Sequence, residues 1–226
     1  MEATLKADSK HKKKKAEDSA PASDDEAGLE RIVFFSDAVI AIAITLLALD
    51  IRLPGEGAAG LSNQELLRAL AGIANQFLGY IISFLVIGMY WIGHHNNFHL
   101  INRYDRRLMV LNILFLLLIA FIPFPTRVMS ENGNMVSTIF YAASLAAMGL
   151  LGLLLFSYAA RNHYLLHPNV SEEVIRRQKI FTLLPSAVFL LSIGLAFINT
   201  EIARLSWLLA LLAALFRRSA GPASGR

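Results

Sequence analysis

The chain has 226 residues, 55% of them hydrophobic, with a net charge of +4, no cysteine and a mean hydropathy of +0.51. That balance excludes an ordinary soluble domain of this size, and the missing cysteine excludes disulfides, thiol chemistry and cysteine-ligated metal. The basic residues are scattered between apolar runs rather than gathered on one face, so the charge does not point to nucleic acid.

Residues 1–28 read as a disordered tail: a lysine-rich run from Lys10 to Lys15, then an acidic stretch ending at Asp24, Asp25 and Glu26. The tail lacks the apolar stretch of a signal peptide. Residues 29–218 read as six spans, since several apolar runs approach or exceed the ~20 residues that cross a bilayer. Span 1 covers roughly 30–52, with Pro54 as its stop and a Gly-rich loop from Gly55 to Gly60. Residues 63–100 form a long helical pattern. Its first part carries Glu65 and Arg68, and the rest, Phe77 to Phe98, is span 2. Span 3 runs from about Leu108 to Arg127, and Pro123 and Pro125 end or kink it. Span 4 covers about 135–160, a polar loop 161–178, span 5 about 179–199 and span 6 about 205–216, stopped by Arg217 and Arg218. Residues 219–226 read as a disordered end.

An even number of spans puts both termini on one side. With that side inside, 17 lysines and arginines fall in inner segments and 4 (Arg52, Arg68, Arg127, Arg204) in outer ones. The positive-inside rule therefore favours six spans in the cell membrane with both ends cytoplasmic.

The densest local signal is Arg31 to Pro54. Arg31, Ser36 and Asp37 precede an apolar run from Ala38 to Leu49 broken only by Thr45. A carboxylate at that depth marks a functional site or a buried polar contact, unless the helix end simply meets water there. Arg31 and Phe35 are i, i+4, so the guanidinium faces the aromatic. Ile42, Thr45 and Leu49 share one helical face, extended by Ala38 and Ala41 toward Ser36 and Asp37. By spacing alone this face is a packing seam with Thr45 bonded back to its own backbone. Trp91, His94 and His95 close span 2, and Asn112 lies just inside span 3. A network of Arg31, Ser36, Asp37, Trp91, His94 and Asn112 would tie three spans together; His94 and His95 are otherwise interfacial histidines in water.

His163 and His167 are i, i+4, but no acidic third ligand shares their face, and Pro168 disfavours helix at His167. No metal site is expected beyond a permeating ion. No nucleotide-binding loop, nucleophile elbow or zinc-protease motif occurs. Membrane catalysis would want paired polar residues within several spans, and spans 4 to 6 offer almost none, which points away from an enzyme and toward conduction or scaffolding.

The segment RIVFFSD (Arg31 to Asp37) resembles the RxxxFSD signature of the transmembrane protein 175 family of endolysosomal potassium channels and its prokaryotic relatives. The similarity continues through AIAITLLALDI, WIGHHNNF and LNILFLLLIAFIPFPT, over roughly 30–127. Animal members carry two six-span repeats; this chain carries one and resembles the prokaryotic form. The resemblance implies an all-α homotetramer in the lipid bilayer with potassium as permeant ion, no cofactor, and a central pore lined by the first helix of each subunit. It implies apolar constrictions at Ile42 and Leu49 and a polar layer at Thr45. It makes Arg31, Ser36, Asp37, Trp91 and His94 braces of the pore helices rather than ion ligands. The long charged tail departs from the family pattern. A ring of Ile42 or Leu49 would gate by dewetting, and Asp50 at the outer mouth would concentrate cations. A second reading is a proton-coupled carrier using Asp37 and His94; a third is a non-conducting scaffold.

Overall fold

The computed structural model describes residues 24–53, 60–161 and 163–215. The lysine-rich run, Pro54 with most of the Gly-rich loop, Arg217, Arg218 and the segment 219–226 lie outside the described residues.

Helix α1 runs Asp24–Leu49 and so begins within the stretch read as tail. Ser36, Ile40, Ala43 and Leu47 recur at helical spacing, and all four are buried. The opposite side of the helix is open. Helix α2, Asn63–Gly72, starts on a capping box: the Ser62 side chain accepts from the Glu65 N–H, and the Glu65 carboxylate accepts from the Ser62 N–H. Ile73, at φ −100 and ψ 12, separates it from α3, Ala74–Phe98. The long pattern over 63–100 is therefore two helices.

Asp105 caps α4, Arg106–Phe121, by accepting from the Leu108 N–H at 2.8 Å. As expected the helix breaks at Pro123 and Pro125, since α4 ends at Phe121, but the membrane span does not stop there. Both prolines sit in the first turn of α5, Pro123–Asn132, where a missing N–H costs nothing. Helices α4 and α5 together make one span, Arg106–Asn132, which extends beyond the Arg127 limit read from sequence. Gly133 ends α5 at φ 59, a left-handed position that favours glycine. Helix α6 is Met135–Arg161. Helix α7 is Glu172–Ala196, so its first two turns occupy part of the polar loop expected over 161–178. Helix α8 is Thr200–Leu215.

The described residues are all-helical apart from turns and one isolated bridge, Ile101 to Leu166. Five helical stretches are long and apolar enough to cross a bilayer: Asp25–Leu49, Ala74–Phe98, Arg106–Asn132, Met135–Arg161 and Glu172–Ala196. The 16 residues of α8 span about 24 Å at 1.5 Å per residue, short of a ~30 Å hydrocarbon core.

Helix α1 packs on α3 and α4, α3 on α5, α4 and α5 on α6, α6 on α7, and α7 on α8. One apolar core gathers Ile40, Ile87, Ile119, Tyr141, Phe189 and Trp207; a second, toward the Phe98 end of α3, gathers Leu108, Phe156, Leu165 and Ile175. In lipid such helices are held by close packing and interhelical hydrogen bonds, because lipid is as apolar as leucine. Gly149 illustrates the packing: a Cβ there would lie 2.0 Å from the Ser186 Oγ and 2.6 Å from the Tyr90 hydroxyl. A buried hydroxyl chain supplies the bonding. Thr126 donates to the Ile122 carbonyl at 2.8 Å, so Ser83 donates to Thr126 and Tyr141 donates to Ser83, each at 2.9 Å.

Candidate pore helix and its polar braces

Ser36 faces inward from α1 and donates its only hydroxyl proton to the Ile32 carbonyl at 2.8 Å. Its oxygen therefore accepts from Asn112 Nδ2 of α4 at 2.9 Å. The Asn112 Oδ1 is then the acceptor for His94 Nε2 of α3 at 2.8 Å, which sets the tautomer of that ring. Ser36, Asn112 and His94 are 0%, 2% and 5% exposed. The His94 ring is wedged between Phe115, stacked at 5.1 Å and 11°, and Phe98 at 4.5 Å. One continuous chain of hydrogen bonds thus joins α1, α4 and α3.

Asp37 points to a different neighbour. Its Oδ1 accepts from the Trp91 indole at 2.7 Å, a second tie between α1 and α3 with a charged acceptor. Arg31 stays outside both arrangements. It is exposed, and among the described residues it makes no hydrogen bond or ion pair with them. Phe35, 58% exposed, also lies apart. The cation–π pairs among the described residues are Arg103 on Tyr164 and Arg177 on Phe181. The six-residue network expected from depth is therefore a buried triad plus a separate pair.

Ala38, Ala41, Ile42, Thr45 and Leu49 lie on the open side of α1, opposite the buried row. Ile42 is 59% exposed and Leu49 64%. The Thr45 hydroxyl donates to the Ile42 carbonyl at 2.8 Å. With that proton committed, the exposed oxygen is left as an acceptor. Below this face, Asp50 lies 3.9 Å from Arg127, whose Nε also bonds Glu131 at 2.9 Å. The Asp50 charge is partly balanced, which weakens its expected pull on cations.

Some other polar contacts have no warning in local spacing, and some do. Gln178 Nε2 of α7 donates to Asn97 Oδ1 of α3 at 2.6 Å, across 81 residues. His95 and His99 place their Nε2 atoms 2.9 Å apart at the end of α3, a pair whose i, i+4 spacing was there to be read. His163, considered above as a ligand, pairs with Glu172 at 2.9 Å.

Comparison with known proteins supplies the family. The model for the endosomal/lysosomal potassium channel TMEM175 matches residues 31–123, from the start of the motif through α4. A potassium channel of Streptomyces collinus is 36% identical over 178 residues, covering 76% of this chain and 84% of that one. The endosomal/lysosomal proton channel TMEM175 of Gallus gallus is 38% identical over 106 residues, 45% of this chain and 21% of that protein. Among solved structures, the lysosomal potassium-selective channel TMEM175 homolog from Chamaesiphon minutus superposes with a TM-score of 0.73 at 28% identity, covering 84% of this chain and 97% of the other. The match over most of both chains, on the same all-helical fold, means that this chain belongs to the TMEM175 family of ion channels, a family of conductors and not of enzymes.

Proposed function

We propose that the chain is a potassium-selective channel: a homotetramer of six-span subunits in the cell membrane, both termini cytoplasmic, with α1 of each subunit lining a central pore. The single observation that carries this reading is the two-sidedness of α1. One side is sealed by Ser36, Ile40, Ala43 and Leu47, while Ala38, Ala41, Ile42, Thr45 and Leu49 face out from the subunit. The two alanines let neighbouring copies approach. Ile42, Thr45 and Leu49 then form successive layers, about 4.5 Å and about 6 Å apart along the helix.

In this arrangement rings of Ile42 and Leu49 expel water from a narrow state and close the pore by dewetting. Thr45 supplies the polar layer. Because its proton is committed to the Ile42 carbonyl, its oxygen presents only lone pairs, which suits replacement of part of a cation's hydration shell. The Ser36–Asn112–His94 triad and the Trp91–Asp37 pair hold α1 at a fixed rotation, so the layers keep their register. Arg31 and Phe35, exposed in one subunit, are left for contacts between subunits or with headgroups.

The carrier reading would route protons between Asp37 and His94. The geometry lends it no path: the Trp91 indole only donates, and the Asn112 amide does not titrate. The deciding experiment is potassium flux through purified protein in liposomes, with sodium and proton flux measured in the same vesicles. Potassium flux that exceeds sodium flux and rises without saturation supports the channel. Absence of potassium flux, or flux only with a proton gradient, overturns it.

A further inference from the structure

At the C-terminal end of α3, His95 and His99 are one turn apart with Nε2 atoms separated by 2.9 Å. The rings meet edge-on at 88°, with centroids 4.4 Å apart. His99 is exposed and His95 half-buried, so both nitrogens are reachable from outside the subunit. We propose that this pair is a chelating site for a divalent transition-metal ion that favours tetragonal coordination, Cu²⁺ or Ni²⁺, with water in the remaining positions.

The distance makes the argument. Metal–imidazole bonds are about 2.0–2.1 Å long, so two nitrogens at a tetrahedral angle stand about 3.3 Å apart and two at a right angle about 2.9 Å apart. The observed separation matches the right angle, the geometry that Cu²⁺ and Ni²⁺ prefer and that zinc does not need. The hydrogen bond now between the rings uses one Nε2 proton. On binding, that nitrogen gives its proton to solvent and solvent protonates Nδ1 of the same ring, with no net proton release, and the rings turn by roughly 45° so that both Nε2 lone pairs converge on the ion instead of lying along the N–N line.

The pair is also held in place. The His99 N–H still bonds the His95 carbonyl at 3.0 Å, so the helical turn carries through His99, and the His95 ring lies against Trp91 at 5.8 Å. An ordered pair loses little freedom on chelation. Among the described residues no third histidine, aspartate or glutamate joins them, which is why water completes the shell.

The test uses tag-free, full-length protein in detergent, titrated with Cu²⁺ and followed by electron paramagnetic resonance. The expected spectrum shows one Cu²⁺ per subunit with coupling to two imidazole nitrogens. His99→Asn should weaken Cu²⁺ binding roughly 100-fold, the loss of a second, intramolecular ligand, and leave one coupled nitrogen. His99 is the exposed C-cap of α3 at φ −61 and ψ −22, an ordinary right-handed conformation that asparagine also adopts, so this variant should fold. His163→Gln, at the other i, i+4 histidine pair, should change nothing. The proposal is overturned if His99→Asn leaves affinity and nitrogen count unchanged, if the loss follows His163→Gln, or if the parent protein binds no Cu²⁺ below millimolar concentration.

Discussion

Asn112→Ala is the most informative single change, because Asn112 is the middle link of the chain joining α1, α4 and α3. It removes two hydrogen bonds, to Ser36 at 2.9 Å and His94 at 2.8 Å. Each such bond contributes about 1 kcal/mol net, and leaving the buried His94 nitrogen unpaired adds about 1–3 kcal/mol. Within membranes the interhelical contribution is smaller, averaging about 0.6 kcal/mol with a ceiling of about 1.7, because the separated helices find other partners. The expected loss is roughly 2–4 kcal/mol once these terms are combined. Ser36→Ala should cost about 1 kcal/mol, and the double mutant should reveal a coupling of about 0.6–1.7 kcal/mol. Reversible unfolding in mixed detergent micelles measures all three. The reasoning fails if Asn112→Ala lies within about 0.5 kcal/mol of the parent, the range of an inert surface change, or if the coupling is zero.

Ile42→Asn or Leu49→Asn should raise potassium flux by wetting the constriction; unchanged currents in both variants would remove α1 from the pore. Thr45→Val keeps the shape but deletes the oxygen, and should lower the potassium-over-sodium preference read from reversal potentials. Gly149→Ala should destabilise the fold by about 1–3 kcal/mol, since its Cβ collides with Ser186 and Tyr90, and adding Ser186→Ala should recover part of that loss in the same unfolding assay. At Asp105, burial works to raise the carboxyl pKa, but hydrogen bonds from Tyr158 at 2.5 Å and from backbone N–H groups outweigh it, holding the group below its ordinary value. A depressed carboxylate contributes stability that is full above about pH 4 and fades as pH falls through the lower folded value, so Asp105→Asn should flatten the acid limb of a stability–pH curve.

What the sequence makes legible is what repeats. The i, i+3, i+7 row of Ile42, Thr45 and Leu49 is legible by spacing alone, but spacing places Ser36 toward that face, whereas the structure buries it with Ile40, Ala43 and Leu47 on the opposite side. Depth also brings Trp91, His94 and Asn112 to the level of Ser36 and Asp37. It does not tell which acceptor goes with which donor, because that depends on helix rotation; Arg31, at nearly the same depth, falls on the outer side. Proline reads ambiguously for a similar reason. Pro123 looks like a terminus, yet at the first turn of a new helix it lets the span continue. The Gln178–Asn97 bond is invisible in sequence because 81 residues separate its partners.

The long-range hydroxyl and amide bonds also impose an order on manufacture. Ser36 is made early, but Asn112 follows 76 residues later; Ser83 must wait for Thr126 and then for Tyr141. Until those partners leave the ribosome, the first two long helices reside in the bilayer joined by the Trp91–Asp37 bond but with the Ser83 and His94 contacts unmade. A nascent chain stalled between α3 and α4 therefore carries unsatisfied groups in hydrocarbon, the kind of exposed polarity that membrane chaperones and intramembrane proteases can sense. The same bonds that fix the rotation of α1 in the finished protein thereby mark the unfinished one as incomplete.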